Sequence, residues 1–280
     1  MNALEITALS KSFADFKLGE LDLVLPGGCI MGLIGENGAG KSTTIKLILD
    51  MLRRDSGTVT LLGRDNRDNI RLTKEEIGVV FDEIGIPGCL SAAQFGKIMR
   101  LTFSNWSDEE YLRRLRELDL PKDKPFKDYS RGMKVKLGIA AAMSHGSRLL
   151  LLDEATSGLD PVARDQVLEM LLDYTRDEDH SILISSHIVS DLEKLCDYIA
   201  FLHKGKLMLC EEKDRLLEKY GIVHCNAEQF TSLPREAVIH KKENPYGIDA
   251  LVLRDMLPSG VTAGMVSIEE LFILMVKEAG

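Results

Sequence analysis

The run Gly35-Glu36-Asn37-Gly38-Ala39-Gly40-Lys41-Ser42-Thr43 satisfies G-x-x-x-x-G-K-[ST], and its chemistry is the capture of a polyphosphate. Glycines let successive backbone N–H groups turn toward one anion, and a helix that starts at the end of the run adds its positive pole. On this reading Asn37, Gly38, Ala39, Gly40 and Thr43 line the cradle, Lys41 reaches the terminal phosphates, and Ser42 offers a hydroxyl to Mg²⁺.

A second chemical pair follows four leucines. Leu149–Leu152 leads into Asp153-Glu154, so an apolar strand delivers two carboxylates to its C-terminal end, the edge where α/β sheets bind ligands. With a phosphate loop upstream, one acid can hold magnesium while the other orients and polarises a water for in-line attack on the γ-phosphate. His187 follows Ile182–Ile184 and Ser185-Ser186 and reaches the same edge if the two strands are parallel neighbours, placing an imidazole near the γ-phosphate. His145, His180, His203, His224 and His240 read as solvated or packed side chains.

These residues need a sheet beneath them. Short apolar runs near Leu4–Ala8, Leu21–Leu25, Ile30–Ile34, Thr58–Leu62, Ile77–Phe81, Leu149–Leu152, Ile182–Ile184 and Ile199–Leu202 read as strands joined by crossover helices. Between Phe81 and Ser130 the strand signal gives way to helices, opened by the capping boxes Ser91-Ala92-Ala93-Gln94 and Ser107-Asp108-Glu109-Glu110. After about residue 215 short β-like pieces (Ala237–His240, Ala250–Leu253) precede a last helix from Ser267, whose Ile268, Leu271, Phe272 and Met275 share a face. The division expected is residues 1–215 with a helical insertion at about 84–145, then a small accessory region, 216–280.

Composition narrows the function. The chain has 280 residues, 45% hydrophobic and 28% charged, which suits a folded core. A net charge of −9 lacks the positive excess that accompanies phosphate-backbone binding, so no nucleic-acid partner is expected. No stretch approaches the length of a membrane span, and Met1–Glu5 lacks the basic and apolar regions of a secretory signal, predicting a chain that stays in the cytosol. The five cysteines are scattered without a C-x-x-C pair, and His224 beside Cys225 has no further ligands, so neither disulfides nor zinc are expected.

Gly35–Thr43, Asp153-Glu154, Ser157-Gly158-Leu159-Asp160 and His187 occur in the order found in the ATP-binding subunits of ABC transporters, which residues 3–215 resemble. The resemblance implies an ABC-type α/β fold with a mainly parallel core sheet, an antiparallel β subdomain and a helical insertion. It implies ATP and Mg²⁺ as cofactors, Glu154 as the catalytic glutamate, His187 as the switch histidine, Asp153 as a magnesium ligand and Phe13 as the ring that stacks on adenine. Tyr129-Ser130-Arg131-Gly132-Met133 stands where the family has Leu-Ser-Gly-Gly-Gln; it keeps Ser130 and Gly132 and departs at Arg131 and Met133. Where the family carries a glutamine after the strand Ile77–Phe81, this sequence has Asp82-Glu83, and Asp82 is expected as a further magnesium ligand.

In this family two domains sandwich two ATP molecules, the phosphate loop of one facing the signature of the other, so a dimer is expected. The pore is expected on a separate transmembrane permease, with this chain peripheral at the cytoplasmic face. Ser130–Met133 and Asn105-Trp106-Ser107 resemble bacterial exporter ATPases, including those that move peptides or amphipathic, toxic compounds. The alternative is a soluble ABC ATPase acting in translation or DNA maintenance.

Overall fold

Alternating and continuous apolar runs fold differently in this chain. In the computed structural model, which describes residues 1–68 and 70–278, the alternating ones build an antiparallel sheet. Strands β1 (Asn2–Ser12) and β2 (Lys17–Pro26) pair antiparallel, with Leu18, Leu21, Leu23 and Leu25 turned to the core. The continuous run β3 (Ile30–Ile34) is buried throughout and feeds α1 (Lys41–Ile48). Strand β4 (Ser56–Leu61) pairs antiparallel with β1, and the short β5 (Arg64–Asp65) completes a sheet of order β2-β1-β4-β5.

Helix α2 (Ile70–Glu75) and β6 (Ile77–Val80) precede the predicted helical stretch: α3 (Ala92–Thr102), α4 (Asp108–Glu117) and α5 (Arg131–Met143). They close over their own core, in which Tyr111, Leu115, Phe126, Tyr129 and Leu137 are buried. Ser91 and Gln94 form the expected capping box. Ser107 accepts from the Glu110 amide at 3.1 Å, but the Glu110 carboxylate turns to Arg113 and Arg114 instead of back to the cap. Two guanidiniums on the next turn outcompete one backbone N–H for that charge, and they hold the Glu110 carboxyl below its usual range despite partial burial.

Strand β7 (Leu149–Asp153), α6 (Pro161–Tyr174), β8 (Ser181–Ser186), α7 (Val189–Leu195), β9 (Tyr198–His203) and β10 (Lys206–Glu212) follow. The central sheet runs β10-β9-β3-β8-β7-β6, and every pair from β9 to β6 is parallel. Strands β3, β7 and β8 are buried along their whole length, which explains why Ile30–Ile34, Leu149–Leu152 and Ile182–Ile184 within them read as unbroken apolar runs. The architecture is the α/β fold with a mainly parallel sheet, an antiparallel sheet and a helical insertion.

The chain divides into two compact units, Met1–Cys210 and Glu211–Gly280. Within the second, α8 (Lys213–Lys219) leads to β11 (Tyr220–Cys225), α9 (Ala227–Thr231), β12 (Val238–Asn244) and β13 (Gly247–Leu253), in an antiparallel sheet of order β11-β13-β12. Helix α10 (Ile268–Glu278) packs on β12. Ser267 and Glu270 exchange the expected capping bonds, and Ile268, Leu271 and Phe272 are buried.

Candidate functional site

Parallel register places the chemistry at one edge. Ile34 pairs with Ser186 across β3 and β8, and Asp153 pairs with Ser185 across β7 and β8. The three strands therefore end side by side, and the phosphate loop, the acidic pair and His187 emerge from their C-terminal ends together.

The loop after β3 turns through Gly38 at φ +81 and Gly40 at φ +111, conformations that side-chain-bearing residues rarely adopt. Gly40 is the residue before α1, and no side chain caps that helix, so its first amides remain directed at the loop's hollow. Phe16 and Leu18 pack against Gly40 from β2 and the turn before it.

Lys41 is buried, and its Nζ donates to Gly35 O at 2.6 Å and to Glu36 O at 3.2 Å. The same nitrogen lies 3.1 Å from Glu154 Oε1. Glu154 Oε2 accepts from His187 Nδ1 at 2.7 Å. Lys41, Glu154 and His187, read from three separate segments, thus form one network. Glu154 holds φ +53, left-handed backbone that is strained in a non-glycine residue and concentrates at functional sites.

Ser185 fixes this arrangement and was not singled out in the sequence. Its hydroxyl donates to Asp153 Oδ1 at 2.6 Å and accepts from the Glu154 amide at 3.2 Å. One buried hydroxyl sets both acids. A serine inside a strand buried over its full length was the available signal.

Of the remaining candidates, Phe13, Ser130 and Asp82 are exposed and Gly132 is half-buried. Phe13 is 43% exposed, with its ring centroid 6.2 Å from that of Phe16. Ser130 caps α5, accepting from the Met133 amide at 3.2 Å, and Gly132 follows in the first turn. Asp82 turns to a different partner: its Oδ1 accepts from Arg131 Nη2 at 2.5 Å. The carboxylate expected on magnesium is thereby committed to a cation of the protein itself. His203 is packed, as read, with its Nδ1 3.3 Å from Glu36 Oε2. In the second unit His224 Nδ1 pairs with Asp249 Oδ1 at 2.6 Å. Among the described residues no cluster of three or more His, Cys, Asp or Glu is disposed to hold a metal ion on its own.

A family model described as ABC transporter matches residues 18–157, half of the chain. The chain is 34% identical over 208 residues to the bacitracin transport ATP-binding protein BcrA of Enterococcus faecalis, covering 73% of this chain and 68% of that protein. It is 35% identical over 215 residues to the lantibiotic transport ATP-binding protein SrtF of Streptococcus pyogenes, covering 75% of this chain and 91% of that one. A solved ATP-binding subunit of an ABC transporter superposes with a TM-score of 0.67 at 28% identity, over 76% of this chain and 91% of that one. With the phosphate loop, the acidic pair and the fold all in agreement, this chain belongs to the ABC transporter family as one of its ATP-binding, ATP-hydrolysing subunits.

Proposed function

We propose that this chain powers an exporter of peptides or of amphipathic, toxic compounds, acting from the cytoplasmic face of the membrane on a separate permease. The observation that carries the ATPase part is the convergence of Lys41, Glu154 and His187 at one strand edge. The cargo class is supported by relatives named for bacitracin and lantibiotic transport. No helix among the described residues is long and apolar enough to cross a membrane, in keeping with a pore built by another chain. The same relatives disfavour the soluble ATPase of translation or DNA maintenance.

Within the site, the amides of residues 37–43 and the Lys41 ammonium bind the phosphates, and Phe13 offers its exposed ring to the adenine. Glu154 accepts the proton of the attacking water, and His187, held through Nδ1, keeps that carboxylate oriented and its own ring at the γ-phosphate. Ser42 and Asp153 fit a magnesium ion. Both offer the hard oxygens it prefers, α1 packs against β7, and the Asp153 carboxylate is buried at the strand end with one oxygen held by the Ser185 hydroxyl. When bound, the ion neutralises charge on the β- and γ-phosphates. Asp82, expected from sequence as a further ligand, has its carboxylate on Arg131, so the fit rests on Ser42 and Asp153.

One chain carries one phosphate loop and one signature, so complete sites form between two such domains, with Ser130 and Gly132 facing the partner's nucleotide. We assign this work to residues 1–215, with the helical insertion at about 84–145, and treat 216–280 as an accessory region. Mild detergent extraction followed by affinity purification of this chain tests the transport reading. A polytopic membrane protein that co-purifies and stimulates ATP turnover supports it. Quantitative recovery in ribosomal or DNA-bound fractions, with none at the membrane, contradicts it.

A further inference from the structure

Two of the positions at which the sequence departs from its family's pattern, Asp82 and Arg131, meet in the folded chain. Arg131 is the first residue of α5, and Asp82 lies just beyond the end of β6. Its guanidinium does two things at once: Nη2 donates to Asp82 Oδ1 at 2.5 Å, and Nε donates to the backbone oxygen of Ser157 at 2.9 Å. Strands β6 and β7 are parallel neighbours, with Val80 opposite Leu152, so the loops carrying Asp82 and Ser157 leave the sheet side by side. Arg131 spans them from a third segment.

What it holds is the turn that carries Glu154. The Ser157 amide donates to Glu154 O at 3.0 Å, closing that turn, and Glu154 itself sits in left-handed backbone. Gly158, at φ +66, lies under the guanidinium: a Cβ there would stand 3.1 Å from Arg131 Nε and 3.2 Å from its Cζ. The planar fork of arginine suits this double duty, one edge to a carboxylate and one to a carbonyl, in a way a lysine ammonium does not. Both ionic side chains are about half exposed, 52% for Arg131 and 51% for Asp82, so the pair adds little to folding stability. Its contribution is the position of the turn.

We propose that Arg131, anchored by Asp82, is a positioning residue for ATP hydrolysis, clamping residues 154–158 so that the Glu154 carboxylate is presented to the attacking water. This rests on the reading of Glu154 as the base that accepts the water's proton.

Steady-state ATP hydrolysis by the full chain tests it, using Arg131→Ala, Arg131→Lys, Asp82→Asn, Asp82→Glu and the double variant Arg131→Ala/Asp82→Asn, with Glu154→Gln as reference. Arg131→Ala lowers kcat by about tenfold, with KM for ATP held within about twofold, because the water-activating group and not the nucleotide cradle has moved. Asp82→Asn lowers kcat less, Asp82→Glu restores most of it, Arg131→Lys rescues only in part, and the double variant is no worse than Arg131→Ala, since both changes break one link. The magnesium concentration for half-maximal turnover is unchanged in Asp82→Asn. Asp82→Asn alters a single exposed group and carries the test should Arg131→Ala melt early. Wild-type kcat in both Arg131→Ala and Asp82→Asn beside an inactive Glu154→Gln overturns this proposal alone. Multiplying losses in the double variant, or a shifted magnesium requirement in Asp82→Asn at unchanged kcat, also overturn it. Near wild-type turnover by Glu154→Gln instead removes the reading on which it rests.

Discussion

The Lys41 ammonium lies 3.1 Å from Glu154 Oε1 while donating to the carbonyls of Gly35 and Glu36. On the roles proposed for these residues, the cation that meets the phosphates is paired with the base that acts on the water. A triphosphate entering the loop would compete with a carboxylate and two backbone oxygens for one buried charge.

Lys41→Ala therefore removes ATP binding, lowering affinity by roughly two orders of magnitude or more, because the phosphate charge loses its compensation in a water-poor cradle. Isothermal calorimetry with Mg-ATP checks this, and unchanged affinity would remove the loop from its role.

Ser185→Ala is expected to damage both stability and turnover. It strips Asp153 of a buried hydrogen bond and the Glu154 amide of one acceptor, at a cost of about 1–3 kcal/mol. Urea unfolding gives the stability loss, and ATP turnover should drop by about tenfold as the two acids lose their common support. Wild-type values of both would mean that Ser185 is only packing.

The strand edge was legible in the sequence because the segments that build it are buried on both faces. Leu149–Leu152 and Ile30–Ile34 need no partner to announce themselves, and each stops where a residue with chemistry begins. Ser185 was not legible in the same way, since its role depends on a neighbouring strand's register and not on spacing along the chain. Asp82 shows the limit most clearly. The family resemblance implies a metal ligand there, whereas its partner Arg131 lies 49 residues away, a distance that only the packing of α5 onto β6 closes. Phe16 likewise gains its place against Gly40 from the fold alone. Edge and second-unit strands β10 and β11 escaped notice: in β10 no residue is fully buried, so its apolar residues give no clean alternation.

His145 makes stability depend on pH. It is buried, stacked on Phe103 at 4.1 Å with Nδ1 at 3.0 Å from Glu75 O, and burial holds its pKa below the ordinary 6.5. Well above pH 6.5 neither folded nor unfolded chain is protonated there, and the stability is fully present. As pH falls below 6.5 the unfolded chain takes up the proton first, so stability declines, with a limiting slope of about 1.4 kcal/mol per pH unit for this one group. Urea unfolding between pH 7.5 and 5.5 should show a smaller decline in His145→Gln than in the wild type; equal declines would contradict the assignment.

ATP should drive the Glu154→Gln chain into dimers, and Ser130→Arg added to it should prevent them by placing bulk and charge at the signature's exposed cap. Light scattering with and without Mg-ATP reads the difference. A wild-type chain that stays monomeric with Mg-ATP at every concentration while hydrolysing at its full rate would contradict a site shared between two domains.

The most direct test is to measure Mg-ATP binding and ATP turnover on the same preparations of wild type and Glu154→Gln. If Glu154 is the base at the Lys41 cradle, the amide variant binds ATP at least as tightly as the wild type and hydrolyses it at least about a hundredfold more slowly, because it still fills the position but accepts no proton. Turnover near the wild-type rate with binding intact would contradict the account at its centre.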